Sequence, residues 1–328
     1  MEDPHEEMTR QEFEDAVKAM KKGKATGADG IPAEVWANSK EAKEELFTLL
    51  QKIWQKEKVP ENLAVCIFVM LYKNKGSKED YTKYRAIGLL NHAYKIMSTI
   101  LLRRLIDECA SFFGEWQAGF RSQRGCRDNV LLLRLLYDLV ISKGNSCIVT
   151  YIDYSAAFDS ISHKFLDRTL AAAGASRKSR AIFRAIYKVA TGVARVRGTD
   201  GTYKLSGSFN VCRGVVQGDI ISPVLFILAL DQLVQMADKS GTGVKCGRIL
   251  TLRVLGYADD AALIEPTVEA MTKRFTDLAR ASKIEADMSV NMSKTVSQHV
   301  HKREPIKVSE EEVARAEAKY DHQCDFCL

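Results

Sequence analysis

The sequence predicts an α+β fold. Amphipathic helical patterns and short β-branched strand patterns follow one another without the strict strand–helix–strand alternation of parallel α/β proteins. The chain has 328 residues, of which 46% are hydrophobic and 27% are charged. This composition is that of globular proteins and excludes a wholly disordered chain. At roughly 150 residues per domain, the length corresponds to about two domains.

Helices are predicted where apolar residues recur at three- and four-residue spacing. In the first of them the pattern includes Trp54, and Pro60 ends it. Asn91 is expected to cap the second. Pro223 suits the first turn of a later one. The predicted helices cover residues 41–57, 91–113, 128–142, 163–174, 178–191, 222–239 and 267–283.

Strands are predicted where apolar and β-branched residues run together between turn signals. The segment 147–154 is apolar and β-branched and is expected to be a buried strand. From about residue 308 the chain becomes more charged, which predicts a tail or a broken-off domain. The predicted strands cover residues 63–71, 147–154, 193–197 and 203–212, with a β-hairpin over 250–264.

Charge and targeting signals narrow the class of protein. The 48 basic and 42 acidic residues leave a net charge of +6, which permits a nucleic-acid partner without requiring one. No apolar stretch approaches the roughly 20 residues of a membrane span, and the acidic start does not resemble a signal peptide. The eight cysteines are scattered, as in reduced proteins. We therefore expect an intracellular protein, in the cytoplasm or nucleus, without membrane contact.

Three aspartates are the strongest candidates for chemistry. Asp259 and Asp260 separate two apolar runs, and Asp153 ends the apolar strand that begins at Cys147. Adjacent carboxylates between buried strands repel each other unless a cation neutralises them, and an ordinary hairpin turn would prefer Asn-Gly or Asp-Gly. Carboxylates at neighbouring strand ends could hold two Mg²⁺ ions for in-line phosphoryl transfer. By this chemistry alone, a polymerase and a nuclease both remain open.

Seven motifs, in order, resemble those of reverse transcriptases, and in particular of the non-LTR retrotransposon branch. Tyr257-Ala-Asp-Asp260 resembles the catalytic motif, and residues 151–159 resemble the first catalytic-aspartate motif. The resemblance covers roughly residues 20–300. It implies a right-hand polymerase fold of fingers and palm, followed by a thumb. The 34 residues after Lys294 (328 − 294) are too few for a full thumb, so we expect the thumb to be truncated or absent. The other five motifs lie at residues 24–34, 71–76, 84–90, 117–121 and 213–226.

The resemblance also implies a division of the chain. Residues 1–22 would form a helical lead-in, 23–146 the fingers with part of the palm, 147–300 the palm with the catalytic carboxylates, and 301–328 a truncated tail. The sequence departs from the family at Ala86 and Gly88, where Pro and Ser are usual, which predicts a looser fingers loop.

The tail contains Cys324-Asp-Phe-Cys327, which resembles the first half of a zinc finger. The His pair that would complete it does not follow. Because structural zinc takes four ligands, we do not expect zinc binding in this chain.

The implied activity is that of an RNA-directed DNA polymerase. Such an enzyme transfers a nucleotide from a dNTP to the 3′-hydroxyl of a DNA primer on an RNA template, with two Mg²⁺ ions or, alternatively, Mn²⁺. Two other hypotheses stay open: a non-catalytic remnant that at most binds RNA, and a maturase-like polymerase that shares the palm. The presence of all three aspartates favours the active enzyme.

The resemblance assigns roles residue by residue. Asp153 and Asp259 would be the primary metal ligands and Asp260 the third catalytic carboxylate. Lys294 matches a lysine suspected of protonating the leaving pyrophosphate. Nucleotide binding would involve Lys73, Arg85, Phe158, Gln217, Gly218 and Tyr257, and template binding Arg121, Arg124 and Arg127.

Some residues near these motifs receive a more specific prediction. The resemblance implies that Phe158 would lie under the sugar of the incoming nucleotide and exclude a 2′-hydroxyl. The alternative is that Phe158 packs in the core against the following helix. Asp159 and Ser162 are predicted to cap the following helix, and His163 is predicted to be structural.

Overall fold

The structure is a computed structural model that describes residues 7–197, 202–247 and 250–301. Its helices and strands are mixed along the chain, which confirms the α+β class. None of the described helices is both long and apolar enough to span a membrane. The helices are α1 (Arg10–Lys18), α2 (Ala33–Asn38), α3 (Lys40–Lys56), α4 (His92–Glu108), α5 (Cys126–Ser142), α6 (Ala157–Ser160), α7 (His163–Ala172), α8 (Arg177–Val189), α9 (Ser222–Ala237) and α10 (Val268–Ala286).

The strands are short and belong to several sheets. Short 3₁₀ turns precede some of them, including Glu61–Ala64 before the first strand. The strands are β1 (Val65–Tyr72), β2 (Tyr84–Leu90), β3 (Ser146–Ile152), β4 (Tyr154–Ser155), β5 (Thr191–Arg197), β6 (Tyr203–Leu205), β7 (Phe209–Asn210), β8 (Val244–Cys246), β9 (Leu250–Leu252), β10 (Val254–Tyr257), β11 (Asp260–Glu265), β12 (Ser289–Val290) and β13 (Val296–His301).

Two sheets organise the molecule. The first has the order β10-β11-β3-β13 and is antiparallel throughout. The second has the order β2-β1-β5-β6, with β7 also paired to β5. In the second sheet β1 and β5 are parallel, so this sheet joins the predicted fingers segment to a strand from the predicted palm segment. The boundary proposed at residue 146 therefore stays a prediction.

Hydrophobic cores cover both faces of the first sheet. On β3, Ile148 and Ile152 contribute to the larger core, whereas Cys147 and Val149 contribute to a smaller core under α5. The larger core also contains buried side chains of α4, α7, α8, α9 and α10. A strand covered on both faces needs apolar residues at successive positions. This explains why residues 147–152 form an almost uninterrupted apolar run.

Capping hydrogen bonds fix where some helices begin, and the sequence pattern predicted these first residues closely. The hydroxyls of Ser39 and Thr267 accept hydrogen bonds from backbone amides in the first turns of α3 and α10. The predicted cap at Asn91 is wrong in its chemistry. Its side chain makes no cap bond; Oδ1 accepts the amide of Asp29 over 3.2 Å, and Nδ2 donates to the carbonyl of Asn62 over 3.0 Å. A tertiary contact has taken the place of the cap.

Two strand predictions also differ from the structure. The predicted strand over residues 203–212 is divided into β6 and β7, which both pair with β5. In the predicted hairpin over 250–264, β9 pairs with β8 instead, and the hairpin consists of β10 and β11. Pattern alone cannot choose among neighbouring short strands, because pairing depends on which partners the tertiary structure provides.

Candidate active site

The three candidate aspartates lie at one end of the first sheet. Strand β3 ends at Ile152, directly before Asp153, and Ile152 is opposite Ala261 on β11. Continuing this antiparallel register places Asp153 across from Asp260. Asp259 lies in the turn between β10 and β11. The sheet thus gathers carboxylates that are far apart in the sequence.

The clustered charges affect Asp260 directly. Burial raises the pKa of its carboxyl, and the neighbouring carboxylates of Asp259 and Asp153 raise it further. Like charges that raise a pKa in this way disfavour the ionised form. A cation bound beside them would remove that repulsion.

Lys294 places a positive charge beside Asp153. Its Nζ atom lies 3.3 Å from Oδ2 and 3.5 Å from Oδ1 of the carboxylate. The backbone fixes this approach, because the amide of Asn291 donates to the carbonyl of Asp153 over 2.7 Å. Strand β12, just before Asn291, pairs with β4, just after Asp153. The pairing explains how a residue near the end of the described chain reaches the first aspartate.

A cavity of about 770 Å³ opens beside Asp153 and Asp259. Its wall combines these carboxylates with cationic side chains from the β1–β2 hairpin. Such a mixture suits a ligand that carries both phosphates and metal ions. The predicted site residues that line the cavity are Lys73, Arg85, Asp153, Phe158, Gln217, Gly218, Asp259 and Lys294.

Two of the predicted catalytic and nucleotide-binding residues lie elsewhere. Tyr257 and Asp260 line a second cavity, of about 300 Å³, whose wall comes from α5 and the β10–β11 hairpin. Asp259 lies in the turn, whereas Asp260 is the first residue of β11. The two carboxylates line different cavities even though they are adjacent in sequence.

The acidic residues fit a divalent cation that arrives with its substrate. Oδ2 of Asp153 is buried, and its charged neighbour is the Lys294 ammonium at 3.3 Å. Within the described ranges, no three His, Cys, Asp or Glu side chains are arranged as a complete metal site. Mg²⁺ characteristically takes one or two carboxylates and completes its coordination with substrate phosphates and water. Asp153 and Asp259 could supply these carboxylates. The substrate and water would supply the other ligands, so the protein does not need to surround the ion.

The loop at Gln217 and Gly218 approaches the second sheet closely. Gly218 has φ +117°, and a Cβ atom there would lie 2.5 Å from the carbonyl oxygen of Gly88. Only glycine adopts this backbone conformation readily. The close approach seen here is to Gly88, one of the family departures, where the departure permits a tight backbone contact. Nucleotide binding by Gln217 and Gly218, and a looser fingers loop, stay predictions.

Phe158 lines the cavity and also packs against the core. Its ring stacks on Phe226 of α9, with centroids 4.6 Å apart and planes 13° from parallel. The side chain is half-buried. The two interpretations of Phe158, contact with a substrate and core packing, are thus compatible in one position.

The predicted template arginines have different surroundings. Arg121 donates to the carbonyl of Gly114 over 2.7 Å, and Arg124 donates to the carbonyl of Glu115 over 2.7 Å and pairs with the Glu115 carboxylate. Arg127 is exposed in the first turn of α5. Two of the three guanidinium groups therefore hold the loop that carries them, and their contact with a template stays a prediction.

The predicted helix caps near the first aspartate did not form. Asp159 lies inside α6, lines the large cavity and accepts a 3.4 Å hydrogen bond from Nε2 of Gln217. Burial raises the pKa of Asp159, which Gln217 and Lys73 partly offset. Ser162 precedes α7 without a side-chain cap bond. His163 is structural as predicted, since Nε2 bonds to the carbonyl of Gly214 over 2.7 Å.

Sequence reasoning missed Asp219. This residue is 4% exposed, and the hydroxyls of Tyr94 and Ser98 donate to its carboxylate over 2.7 and 2.8 Å. Burial raises the pKa of Asp219. The bonds tie the Gln217-Gly218 loop to α4. A single Asp within a loop motif gives no sign of such partners.

The predicted zinc half-site at Cys324 and Cys327 lies outside the described residues.

Comparison with known proteins agrees with this geometry. Residues 73–320 match the family described as reverse transcriptase (RNA-dependent DNA polymerase). A Pol polyprotein of retrotransposable element R2DM from Drosophila melanogaster is 30% identical over 212 residues, which cover 64% of this chain and 19% of that protein. An R2 Pol polyprotein from Popillia japonica is 27% identical, covering 88% of this chain and 39% of that protein.

Other relatives are more distant. The 149 kDa protein of transposon TX1 from Xenopus laevis is 25% identical, covering 78% of this chain and 19% of that protein. The chain therefore spans about a fifth to two fifths of the length of these relatives.

A solved structure shows the same fold. Apo telomerase from Candida tropicalis superposes with a TM-score of 0.50 at 14% identity, covering 82% of this chain and 56% of that one. With a family match over most of the sequence and a fold that gathers the family's aspartates at one sheet end, this chain belongs to the reverse transcriptase family, as a polymerase domain of the non-LTR retrotransposon type.

Proposed function

We propose that this chain extends a DNA primer on an RNA template, with dNTPs as substrates and two Mg²⁺ ions bound near Asp153 and Asp259. One observation carries the proposal. The two carboxylates share a cavity wall with Lys73 and Arg85, so groups suited to metal ions and to a triphosphate meet in one place. Family membership supports the same activity and the use of divalent metal ions.

The carboxylates would act as metal ligands. When bound, two Mg²⁺ ions supply activation of the primer 3′-hydroxyl and stabilisation of the leaving oxygen. Asp153 offers a buried carboxylate oxygen whose charged neighbour is the Lys294 ammonium, and Asp259 presents its carboxylate from the turn. Asp260 contributes negative potential from the other side of the hairpin, since it interacts with both neighbours.

The β1–β2 hairpin would hold the triphosphate. The amide of Lys73 donates to the carbonyl of Lys83 over 2.8 Å, and its Nζ donates to the carbonyl of Thr82 over 3.1 Å. These bonds hold Lys73 at the cavity rim. Arg85 on β2 is exposed to the cavity, and a guanidinium binds phosphate oxygens in a fixed fork. The pair would neutralise the phosphates and orient them toward the carboxylates.

Lys294 would stabilise the leaving pyrophosphate. Its ammonium lies 3.3 Å from Asp153, on the wall of the cavity that would receive the triphosphate. An ammonium there can donate a hydrogen bond or a proton to the departing pyrophosphate oxygen. Its 66% exposed side chain leaves it free to turn toward a substrate.

Primer extension tests the proposal directly. The purified chain should extend a DNA primer on an RNA template when Mg²⁺ is present. Asp153→Asn and Asp259→Asn should each reduce the rate by at least about 100-fold, because each removes a charge that holds a metal ion. The matched control is Asp107→Asn, at an exposed position on α4, which should keep the wild-type rate.

Duplex binding separates the alternatives. A wild-type chain that binds an RNA–DNA duplex but never extends the primer would identify a non-catalytic remnant. An Asp153→Asn or Asp259→Asn variant that keeps the wild-type rate would show that the metal site has been assigned to the wrong residues.

A further inference from the structure

The turn between β10 and β11, which carries Asp259 and is called the catalytic turn below, has an unusual backbone at Ala258. This residue has φ +58°, whereas Asp259 is absent from the described non-glycine residues with positive φ. A positive φ at the first of two central turn residues is the type II′ pattern, which normally has Gly there. Ala carries a Cβ and adopts this conformation only when its surroundings hold it. The turn that presents Asp259 therefore depends on contacts from outside the hairpin.

The side chain of Gln117 supplies these contacts. Its Nε2 donates to the carbonyl of Ala258 over 3.1 Å, and its Oε1 accepts the amide of Ala258 over 2.9 Å. The same Oε1 accepts the amide of Gly119 over 2.8 Å. Gln117 is fully buried. One amide side chain thus satisfies both backbone groups of the strained residue.

The loop around Gln117 is fitted to the hairpin on both sides. The amide of Ala118 donates to the carbonyl of Gly256, and the amide of Gly256 donates to the carbonyl of Trp116, each over 2.9 Å. A Cβ atom at Gly119 would lie 2.2 Å from the amide nitrogen of Ala258, and one at Gly256 would lie 2.3 Å from the Trp116 ring. Side chains at these glycines would hold the loop away from the turn.

The same loop continues to the cavity. Phe120 also has a positive φ, of 54°, is about half exposed, and lines the cavity with Asp153 and Asp259. The loop therefore contacts the catalytic turn through Gln117 and the substrate cavity through Phe120.

We propose that Gln117 is a positioning residue, which holds the Ala258 backbone in the left-handed conformation that aims Asp259 at the cavity. This inference rests on the proposed polymerase function. Gln117 does not line the cavity and would touch neither metal nor substrate. Its effect would pass through the backbone of Ala258 to the neighbouring aspartate.

Gln117→Met tests the role, because methionine keeps the length and volume of the side chain but makes no hydrogen bonds to Ala258. We expect kcat for primer extension to fall about 10- to 100-fold, the effect of a small misplacement of a catalytic group. The KM for dNTP and the affinity for the RNA–DNA duplex should stay within twofold. The matched control, Gln55→Met at an exposed position on α3, should leave all three unchanged.

Ala258→Gly provides a rescue that a merely structural role does not predict. Glycine adopts a positive φ without a Cβ penalty, so the turn needs the Gln117 bonds less. The double variant Gln117→Met with Ala258→Gly should recover kcat at least about threefold over Gln117→Met alone. If the double variant folds and shows no recovery, or if Gln117→Met folds with kcat within twofold of wild type, the positioning role is overturned. A Gln117→Met chain that fails to fold even with Ala258→Gly would also overturn it.

Hydrogen exchange gives a readout that does not depend on activity. The Ala258 amide should exchange at least about tenfold faster in Gln117→Met than in wild type, because its acceptor is gone. Amides of β3 should be unaffected. If the wild-type chain has no polymerase activity, the proposed function fails while this measurement still tests the contact. Unchanged exchange at Ala258 would overturn the inference on its own.

Discussion

The backbone amide of Gly88 donates a hydrogen bond to the carbonyl oxygen of Gln217 over 2.6 Å. This contact joins β2 of the second sheet to the loop that borders the cavity of about 770 Å³. A Cβ atom at Gly88 would lie 2.4 Å from Cγ1 of Val216 and 2.6 Å from Sγ of Cys66. The packing of β2 against the Gln217 loop therefore requires a glycine at position 88.

Gly88→Ser, which introduces the residue usual in the family, should destabilise this chain. The added side chain has no room, and forcing atoms into a packed site costs about 1–3 kcal/mol. Urea unfolding should show the loss. Gly207→Ser is the control, because a Cβ there meets nothing within 4 Å, and we expect a change within about 0.5 kcal/mol. Equal effects of the two substitutions would contradict the steric argument.

Phe158→Ala should alter both sugar selection and stability, since Phe158 lines the cavity and stacks on Phe226. Without the ring, ribonucleotide incorporation should rise relative to deoxynucleotide by about tenfold, which corresponds to a lost clash of about 1.4 kcal/mol. Stability should fall by up to about 3 kcal/mol for this half-buried ring. Competition between the two nucleotide types, together with a melting curve, measures both.

The control for sugar selection is Phe165→Leu, at a buried position on α7. It should lower the melting temperature and leave the nucleotide preference unchanged. If Phe158→Ala also leaves that preference unchanged, Phe158 only packs the core.

Asp231→Asn should remove a pH dependence of stability. Asp231 is fully buried on α9, and burial raises the pKa of its carboxyl from 3.8 to about 7, although Gly114, Arg121 and Trp116 offset part of the effect. The folded chain therefore keeps this proton up to about pH 7, whereas the unfolded chain releases it near pH 4. The free energy of unfolding should fall as pH rises between these values and should level off above about pH 7.

The comparison is made by urea unfolding from pH 5 to pH 8. The variant should be more stable than wild type at pH 8, by a margin on the order of a few kcal/mol, and the margin should shrink toward pH 5. Asp138→Asn at an exposed position on α5 should follow the wild-type profile. A margin that does not change with pH would show that the Asp231 carboxyl is not protonated in the folded chain.

Arg274→Ala should be among the most destabilising single changes. Arg274 and Glu265 are both fully buried and lie 2.9 Å apart, and Arg274 also donates to the carbonyl of Arg253 over 2.7 Å. Removing the guanidinium leaves the Glu265 charge buried at the end of β11, at a cost of about 3–5 kcal/mol. Arg168→Ala breaks an exposed 2.9 Å pair with Glu285 and should cost less than about 1 kcal/mol. If the two variants lose similar amounts of unfolding free energy in urea, burial does not determine how much these ion pairs contribute to stability.

Local sequence was sufficient for features that local chemistry controls. Helix α3 begins beside the Ser39 cap and ends within one residue of its predicted end, because spacing and capping act within a few positions. The run before Asp153 predicted a buried strand, since a strand covered on both faces admits few polar residues. Paired aspartates between apolar runs predicted a cation-binding site, because adjacent carboxylates repel each other unless a cation neutralises them. The ordered motifs then identified the family.

The tertiary structure decided which distant groups meet. The parallel pairing of β1 with β5, the 3.3 Å approach of Lys294 to Asp153 and the hold of Gln117 on Ala258 each join segments far apart in the chain. Such contacts depend on register and on the packing of whole elements, which a local pattern does not encode. For that reason the sequence determined which residues carry the charges and which strands they end. The fold alone decided which carboxylates face the large cavity and what holds the turn that presents them.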